Sequence, residues 1–148
     1  MSAKENLELV HRMYEALNAQ DLDAHDNYWT NDMIWHAPAE RGDYHGLAAF
    51  KNEVMKPFYS IFPDYHVKND IEVADDNWVS ATGFLTGTPQ GNWMGVPMTG
   101  KKIRMRFSDF WLIREGRLAE NWVMIDYISV MRQLEVNVID LAGFKKIS

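Results

Sequence analysis

Residues Lys101 to Gln133 read KKIRMRFSDFWLIREGRLAENWVMIDYISVMRQ. In the first half of this stretch Ile103, Met105, Phe107, Asp109, Trp111 and Ile113 fall on one side, and Lys102, Arg104, Arg106 and Ser108 on the other. A period of two with one apolar side describes a strand covering a core. Asp109 is the exception, a carboxyl between Phe107 and Trp111 with no charged neighbour on its own face. Burying it ionised and alone would cost several kcal/mol, so it is expected to be partnered or protonated. Arg114-Glu115-Gly116-Arg117 reads as a hairpin turn and Leu118 to Ile125 as the return strand. Asp126 follows, where strand gives way to a short helix through about Leu134. It can serve as that helix's N-cap or as a general base at the mouth of a hollow, and both readings stand. Glu120 shares parity with Trp122 and Met124, which calls for a bulge or a second acid facing the hollow.

Working outward, Ser2-Ala3-Lys4-Glu5 fits a capping box. Leu7, Val10, Tyr14 and Leu17 recur at helical spacing, predicting a helix over about Ala3 to Asn18. Asp21 is expected to cap a second helix through about Trp29, followed by a turn at Thr30-Asn31-Asp32 and a short strand from Met33 to Ala37. Ala39 to Gly46 reads as a surface loop, and Leu47 to about Ser60 as a third helix, bent or ended near Pro57. Tyr65 to Val73 and Trp78 to Thr86 read as strands, and Thr88 to Gly100 as the longest loop. Helices toward the front and meandering strands behind give an α+β domain, its antiparallel sheet curled around three N-terminal helices to leave a hollow. The chain is expected to form one domain over residues 1–148, with a core of about 5–135 and a tail at 136–148.

Composition narrows the function. Of 148 residues, 47% are apolar and 24% charged, as in ordinary globular proteins. Six Trp, seven Phe and six Tyr suit a well-filled core or a cavity for a flat apolar ligand. A net charge of −6 argues against nucleic acid, and the basic residues Lys102, Arg104 and Arg106 fall on the outer face of a strand. The chain has no cysteine, which excludes disulfides, thiolate catalysis and Cys-bound zinc and fits a reducing compartment. With a polar, helical N-terminus and no apolar run near the roughly 20 residues of a membrane span, a cytoplasmic protein is expected. His11, His25, His36, His45 and His66 lack ligand spacing, so no metal site is expected. His36, between Trp35 and Ala37, is a candidate proton shuttle. Trp122, Trp111, Trp29, Trp35, Phe84 and Tyr14 are candidate pocket residues.

Several motifs carry a resemblance. Gly91-Asn-Trp-Met-Gly95-Val-Pro97-Met-Thr-Gly100-Lys101, Asp109-Phe-Trp, and Glu120-Asn-Trp122 with Asp126 and Arg132-Gln133-Leu134 resemble SnoaL-like polyketide cyclases. Ala16-Leu17-Asn18-Ala19-Gln20-Asp21 and Trp35-His36-Ala37-Pro38 resemble the wider superfamily, which includes nuclear transport factor 2-like proteins and ketosteroid isomerases. The resemblance spans about residues 5–135. It implies a cone-shaped α+β barrel around an apolar pocket, a homodimer, and cofactor-independent ring closure by intramolecular aldol chemistry on a polyketide-like substrate. It also implies Asp126 as general acid/base, with Asp109 and His36 as partners. Against the isomerases, Met13 occupies the position of the oxyanion tyrosine, with Tyr14 one place on and turned about 100° away. Ala37 stands where their base would be. An epoxide hydrolase would need an Asp–Arg–Asp relay, and alternation turns Arg104 and Arg106 outward. A non-catalytic binding module remains the alternative from another class.

Overall fold

The computed structural model describes residues 1–138. The part of the expected tail beyond Val138 lies outside the described residues. Helix α1, Ala3–Asn18, begins at a complete capping box: Glu5 N–H donates to Ser2 Oγ at 3.3 Å, and Ser2 N–H donates to Glu5 Oε2 at 2.7 Å. Such caps stabilise a helix by about 1 kcal/mol. Leu9, Val10, Met13 and Leu17 bury its apolar stripe. Two asparagines tie it to the sheet. Asn6 Nδ2 donates to Asp75 O at 2.9 Å, while Asn18 both donates to Val67 O at 3.0 Å and accepts from Val67 N–H at 2.7 Å. The helix that carries Tyr14 is thus pinned at both ends.

The second expected helix is a 3-10 helix of five residues, Asp23–Asn27. Its N-cap position is Leu22 rather than the expected Asp21, although Asp21 Oδ1 accepts from Ala24 N–H at 3.0 Å. Strand β1 then starts earlier than the sequence suggested, at Trp29–His36, and includes the polar Thr30-Asn31-Asp32. Those residues look like a turn because their side chains are polar, but they fall in the irregular stretch between the Trp29–Leu118 and Ile34–Glu120 pairs, and the pairing on either side carries them within the strand. The presumed loop contains a further short strand, β2 (Asp43–His45). The third helix is continuous over 47–61 but composite: α2 (Leu47–Ala49), a π-helical stretch Phe50–Met55, and α3 (Lys56–Ile61). Pro57 therefore neither ends nor breaks it. It sits in the first turn of α3, directly after the wide stretch.

Strands β3 (His66–Ala74), β4 (Trp78–Gly87), β7 (Ile103–Arg114) and β8 (Arg117–Ile125) form the main sheet with β1 and β2, in the order β2-β1-β8-β7-β4-β3. A small hairpin, β5 (Asn92–Trp93) with β6 (Val96–Pro97), occupies the long loop. The sheet is mixed rather than purely antiparallel, because β1 lies parallel to β8. The β7–β8 turn places Glu115 at φ 51° and Gly116 at φ 74°, the two-residue geometry whose twist matches the strands it joins. At Gly83 a side chain is impossible, since a Cβ there would meet Lys68 O at 2.1 Å. Helix α4 (Tyr127–Gln133) follows β8.

The parity expected for β7 holds: Ile103, Met105, Phe107, Asp109, Trp111 and Ile113 are buried. In β8 the register shifts opposite Leu112 and Ile113, leaving Ala119 as an extra residue. This bulge puts Leu118 inward before it and Asn121, Val123 and Ile125 inward after it. Glu120, Trp122 and Met124 go to the outer face.

Candidate functional site

Between the concave face of the sheet and the helices lies a cavity of about 650 Å³, a size typical of small-molecule sites. Helix α1 contributes Met13, Tyr14 and Leu17 to its wall, and β1 contributes Trp29 and Trp35. The composite helix adds Phe50, Val54 and Phe58, and the β5–β6 hairpin adds Trp93 and Met94. The sheet supplies Phe107, Asp109 and Trp111 from β7 and Asn121, Val123 and Ile125 from β8. The bulge in β8 aims those last three inward.

Asp109 is the chemical centre of this wall. It is 9% exposed, and burial pushes its carboxyl up to about 8. The neighbouring Asn121 amide and Tyr14 hydroxyl work in the other direction, but burial wins. Burial raises the Tyr14 phenol well above its ordinary value, and the Asp109 charge adds to the rise. The Tyr14 ring stands edge-on to Trp111, with centroids 5.6 Å apart. Asp109 Oδ1, Tyr14 Oη and Trp111 Nε1 are all buried without a hydrogen-bond partner. Buried polar atoms are normally paired, and leaving one unpaired costs about 1–3 kcal/mol. Three on one cavity wall suit a ligand bearing oxygen atoms.

Of the residues singled out in the sequence, Asp109, Tyr14, Trp111, Trp29 and Trp35 line the cavity, and four others do not. Met13 and Tyr14 both reach the cavity although they are successive helix residues, and it is Tyr14 that neighbours Asp109. His36 lies on the outer side of the sheet, stacked on Trp122 at 4.4 Å between ring centroids. Its Nδ1 is 2.8 Å from Asp43 Oδ1 and its Nε2 is 2.9 Å from Glu120 Oε2. Burial lowers its pKa, but the bonds to Glu120 and Asp43 outweigh that and raise it. Both ring nitrogens are engaged by carboxylates, so neither is free to shuttle a proton. Trp122 follows Glu120 outward because of the bulge. Phe84, on the outer parity of β4, lies beneath the guanidinium groups of Arg104 and Arg106, at 3.9 and 3.8 Å. Asp126 is exposed and accepts from Ser129 N–H at 3.0 Å as the cap of α4; Ile125 and Tyr127 on either side line the cavity instead. Among the described residues no cluster of three or more His, Asp or Glu could hold a metal ion, and no helix is long and apolar enough to cross a membrane.

The sequence reading missed Asn121, Val123 and Trp93 as wall residues. Strand parity would have given the first two had the bulge been assigned to Ala119. Trp93 was visible only as part of a Gly-rich motif.

A helix-backed, curved mixed sheet with a ligand-sized apolar hollow on its concave face defines an α+β protein of the nuclear transport factor 2-like fold. The chain belongs to the SnoaL-like polyketide cyclase family, whose family model matches residues 8–134. It is 29% identical over 134 residues to the aklanonic acid methyl ester cyclase DnrD of Streptomyces peucetius, covering 86% of this chain and 89% of that one. Among solved structures, wild-type IdmH from Streptomyces antibioticus is 26% identical, with a TM-score of 0.76 over 87% of this chain and 97% of its own. TsrD from Streptomyces laurentii, 20% identical, shares the fold with a TM-score of 0.80 over 93% of this chain and 99% of its own. A cyclase-type activity is consistent with these similarities.

Proposed function

We propose that the protein catalyses aldol-type ring closure, or a related proton shift, on a flat, carbonyl-rich polyketide-like substrate held in the cavity. Asp109 is the acid/base and Tyr14 the hydrogen-bond donor. The observation that carries this reading is the Asp109 carboxyl, buried in an apolar wall with Oδ1 unpartnered and its pKa at about 8. An acid/base works best when its pKa lies near the working pH. The ionised fraction of Asp109 takes a proton from an acidic C–H flanked by carbonyls, and Tyr14 Oη donates to the resulting enolate oxygen. The enolate carbon then forms a bond to a second carbonyl carbon of the same molecule. The alkoxide so produced takes the proton back from Asp109, leaving the enzyme unchanged. Trp29, Trp35 and Trp111 hold the substrate flat and keep water out, which strengthens both hydrogen bonds. No step calls for a cofactor. Asp126 and His36, off the cavity wall, act structurally in this scheme, as helix cap and as a tie between strands.

The meeting of Tyr14 with Asp109 favours a second reading, isomerisation, because two donors around one enolate oxygen serve a proton shift without ring closure equally well. Both readings share the first step. An aromatic 1,3-diketone incubated in D2O should exchange its acidic C–H faster with the protein than without it, followed by proton NMR. Asp109→Asn should abolish the acceleration and Asp126→Asn should keep it. Binding of the diketone without any exchange would mean a carrier rather than an enzyme.

For assembly we propose a homodimer through the outer sheet face. Ile71, Val73, Trp78, Phe110 and Met124 are exposed there, with 40–66% of their surface accessible. Among them lie Ser80, Thr82 and Ser108, so this patch of the outer face carries no charge and fits a second copy of itself. Sedimentation should give a dimer that Phe110→Glu converts to monomer.

A further inference from the structure

The cavity is neutral over nearly all of its wall, yet its rim carries a cation. Arg41, an exposed residue, lines the cavity and is the only cationic side chain among the described wall residues. It forms no ion pair among the described residues. Glu53, the other charged rim residue, forms none either, so the two do not neutralise each other. Tyr127 also lines the cavity, near enough to Arg41 for the guanidinium to act on its phenol. Burial raises that phenol's pKa, and Arg41 works against the rise.

The backbone that presents Arg41 is strained. Ala39 and Glu40, at φ 60° and 55°, are consecutive left-handed residues that are not glycine, and Gly42 follows at φ 101°. The left-handed region is unfavourable for a residue with a Cβ, and strain of this kind is kept where it positions something. A hydrogen bond from Ala37 N–H to Gly42 O, at 3.1 Å, closes the turn and fixes its exit. Pro38 and Ala39 from the same turn also line the cavity. The turn thus forms a lip, closed by that hydrogen bond, with Arg41 at its edge.

We propose that Arg41, with the Tyr127 hydroxyl, is an anion subsite that orients the ligand by a carboxylate at the cavity rim. The preferred substrates are then flat carbonyl compounds with a carboxylate at the end remote from Asp109. This assignment rests on the role proposed above for the cavity and adds which way round the ligand lies. The planar guanidinium matches a carboxylate with two parallel N–H donors. A chain with a net charge of −6 repels anionic ligands in general, so one local cation at the entrance both offsets the repulsion and selects a binding pose. Glu53 on the same rim disfavours a carboxylate seated away from Arg41.

The test uses 6-acetyl-2-naphthoic acid and its methyl ester, which share the ring and the acetyl carbonyl and differ in the charge at the far end. Their affinities for the full chain are measured by isothermal titration at low and at high salt. The acid should bind about tenfold more tightly than the ester at low salt, as one charge-assisted bidentate pair allows, with the ratio shrinking in salt. Arg41→Met should bring the acid-to-ester ratio to about one, and Arg41→Lys should restore part of it. Equal affinity for acid and ester in the parent protein, or a preference that survives Arg41→Met, overturns the subsite while leaving the cavity's role intact. Failure of both compounds to bind at millimolar concentration removes the cavity reading and the subsite together. Circular dichroism of the variants guards against a folding defect, which is not expected at an exposed rim position.

Discussion

Tyr14 and Asp109 stand side by side on the cavity wall, one from α1 and one from β7, and neither Tyr14 Oη nor Asp109 Oδ1 has a hydrogen-bond partner. Two groups able to donate to the same ligand oxygen are thereby held in a dry site. Tyr14→Phe should weaken binding of a carbonyl ligand by about tenfold, the worth of one buried hydrogen bond. Because the hydroxyl lowers the Asp109 pKa, the same variant should raise that pKa further. Titration calorimetry checks the first effect, and carbon NMR of the labelled carboxyl checks the second.

Asp109 also links stability to pH. Its carboxyl titrates at about 8 in the folded chain against an ordinary 3.8. Between those values the folded state keeps a proton that the unfolded state has released. Stability from this group therefore falls as pH rises from about 4 to about 8, at up to about 1.4 kcal/mol per pH unit, and levels off above. Urea unfolding of Asp109→Asn and the parent at pH 5, 6.5 and 8 should show a stability difference that swings in favour of the variant as pH rises. The proton-exchange rate of the parent should climb through a single ionisation near pH 8.

His36 tests the opposite kind of group. Its folded pKa is raised, so its contribution is complete below about 6.5 and is lost as pH rises through the raised value. His36→Gln should lower stability by about 1 kcal/mol at pH 6, with the deficit shrinking above pH 8. It should leave ligand affinity unaltered. A loss of affinity would bring His36 back into the site.

The wall assignments separate the tryptophans. Trp35→Ala should weaken binding of a naphthyl ketone about tenfold or more, since it removes a flat cavity-facing surface. Trp122→Phe and Phe84→Leu, on the outer face, should not change it. Fluorescence titration of the three variants decides.

Gly83→Ala should destabilise the fold by about 2–4 kcal/mol, because the added methyl meets a backbone carbonyl on β3 that cannot step aside. Thermal melts read this directly.

The parts of the structure legible in the chain were those governed by short-range rules. Period-two alternation placed Asp109 inward between Phe107 and Trp111. The Glu115-Gly116 turn and the Ser2–Glu5 cap each depend on residues at most three apart. Beyond that range the signals failed for identifiable reasons. One extra residue at Ala119 reversed the parity of β8 and carried Trp122 away from the cavity. Polar residues at Thr30-Asn31-Asp32 imitated a turn because nothing local reveals that a distant strand will pair with Trp29 and Ile34 on either side of them.

The sequence by itself determined that a carboxyl would stand in an apolar layer, because a strand's two faces alternate whatever its neighbours are. Only the tertiary structure decided what that carboxyl would meet. That β8 lies between β1 and β7, that α1 lays Tyr14 against Asp109, and that a strained turn brings Arg41 to the rim are contacts between segments far apart in the chain. Such contacts are set by packing of the whole core, which leaves no periodic trace in any one stretch.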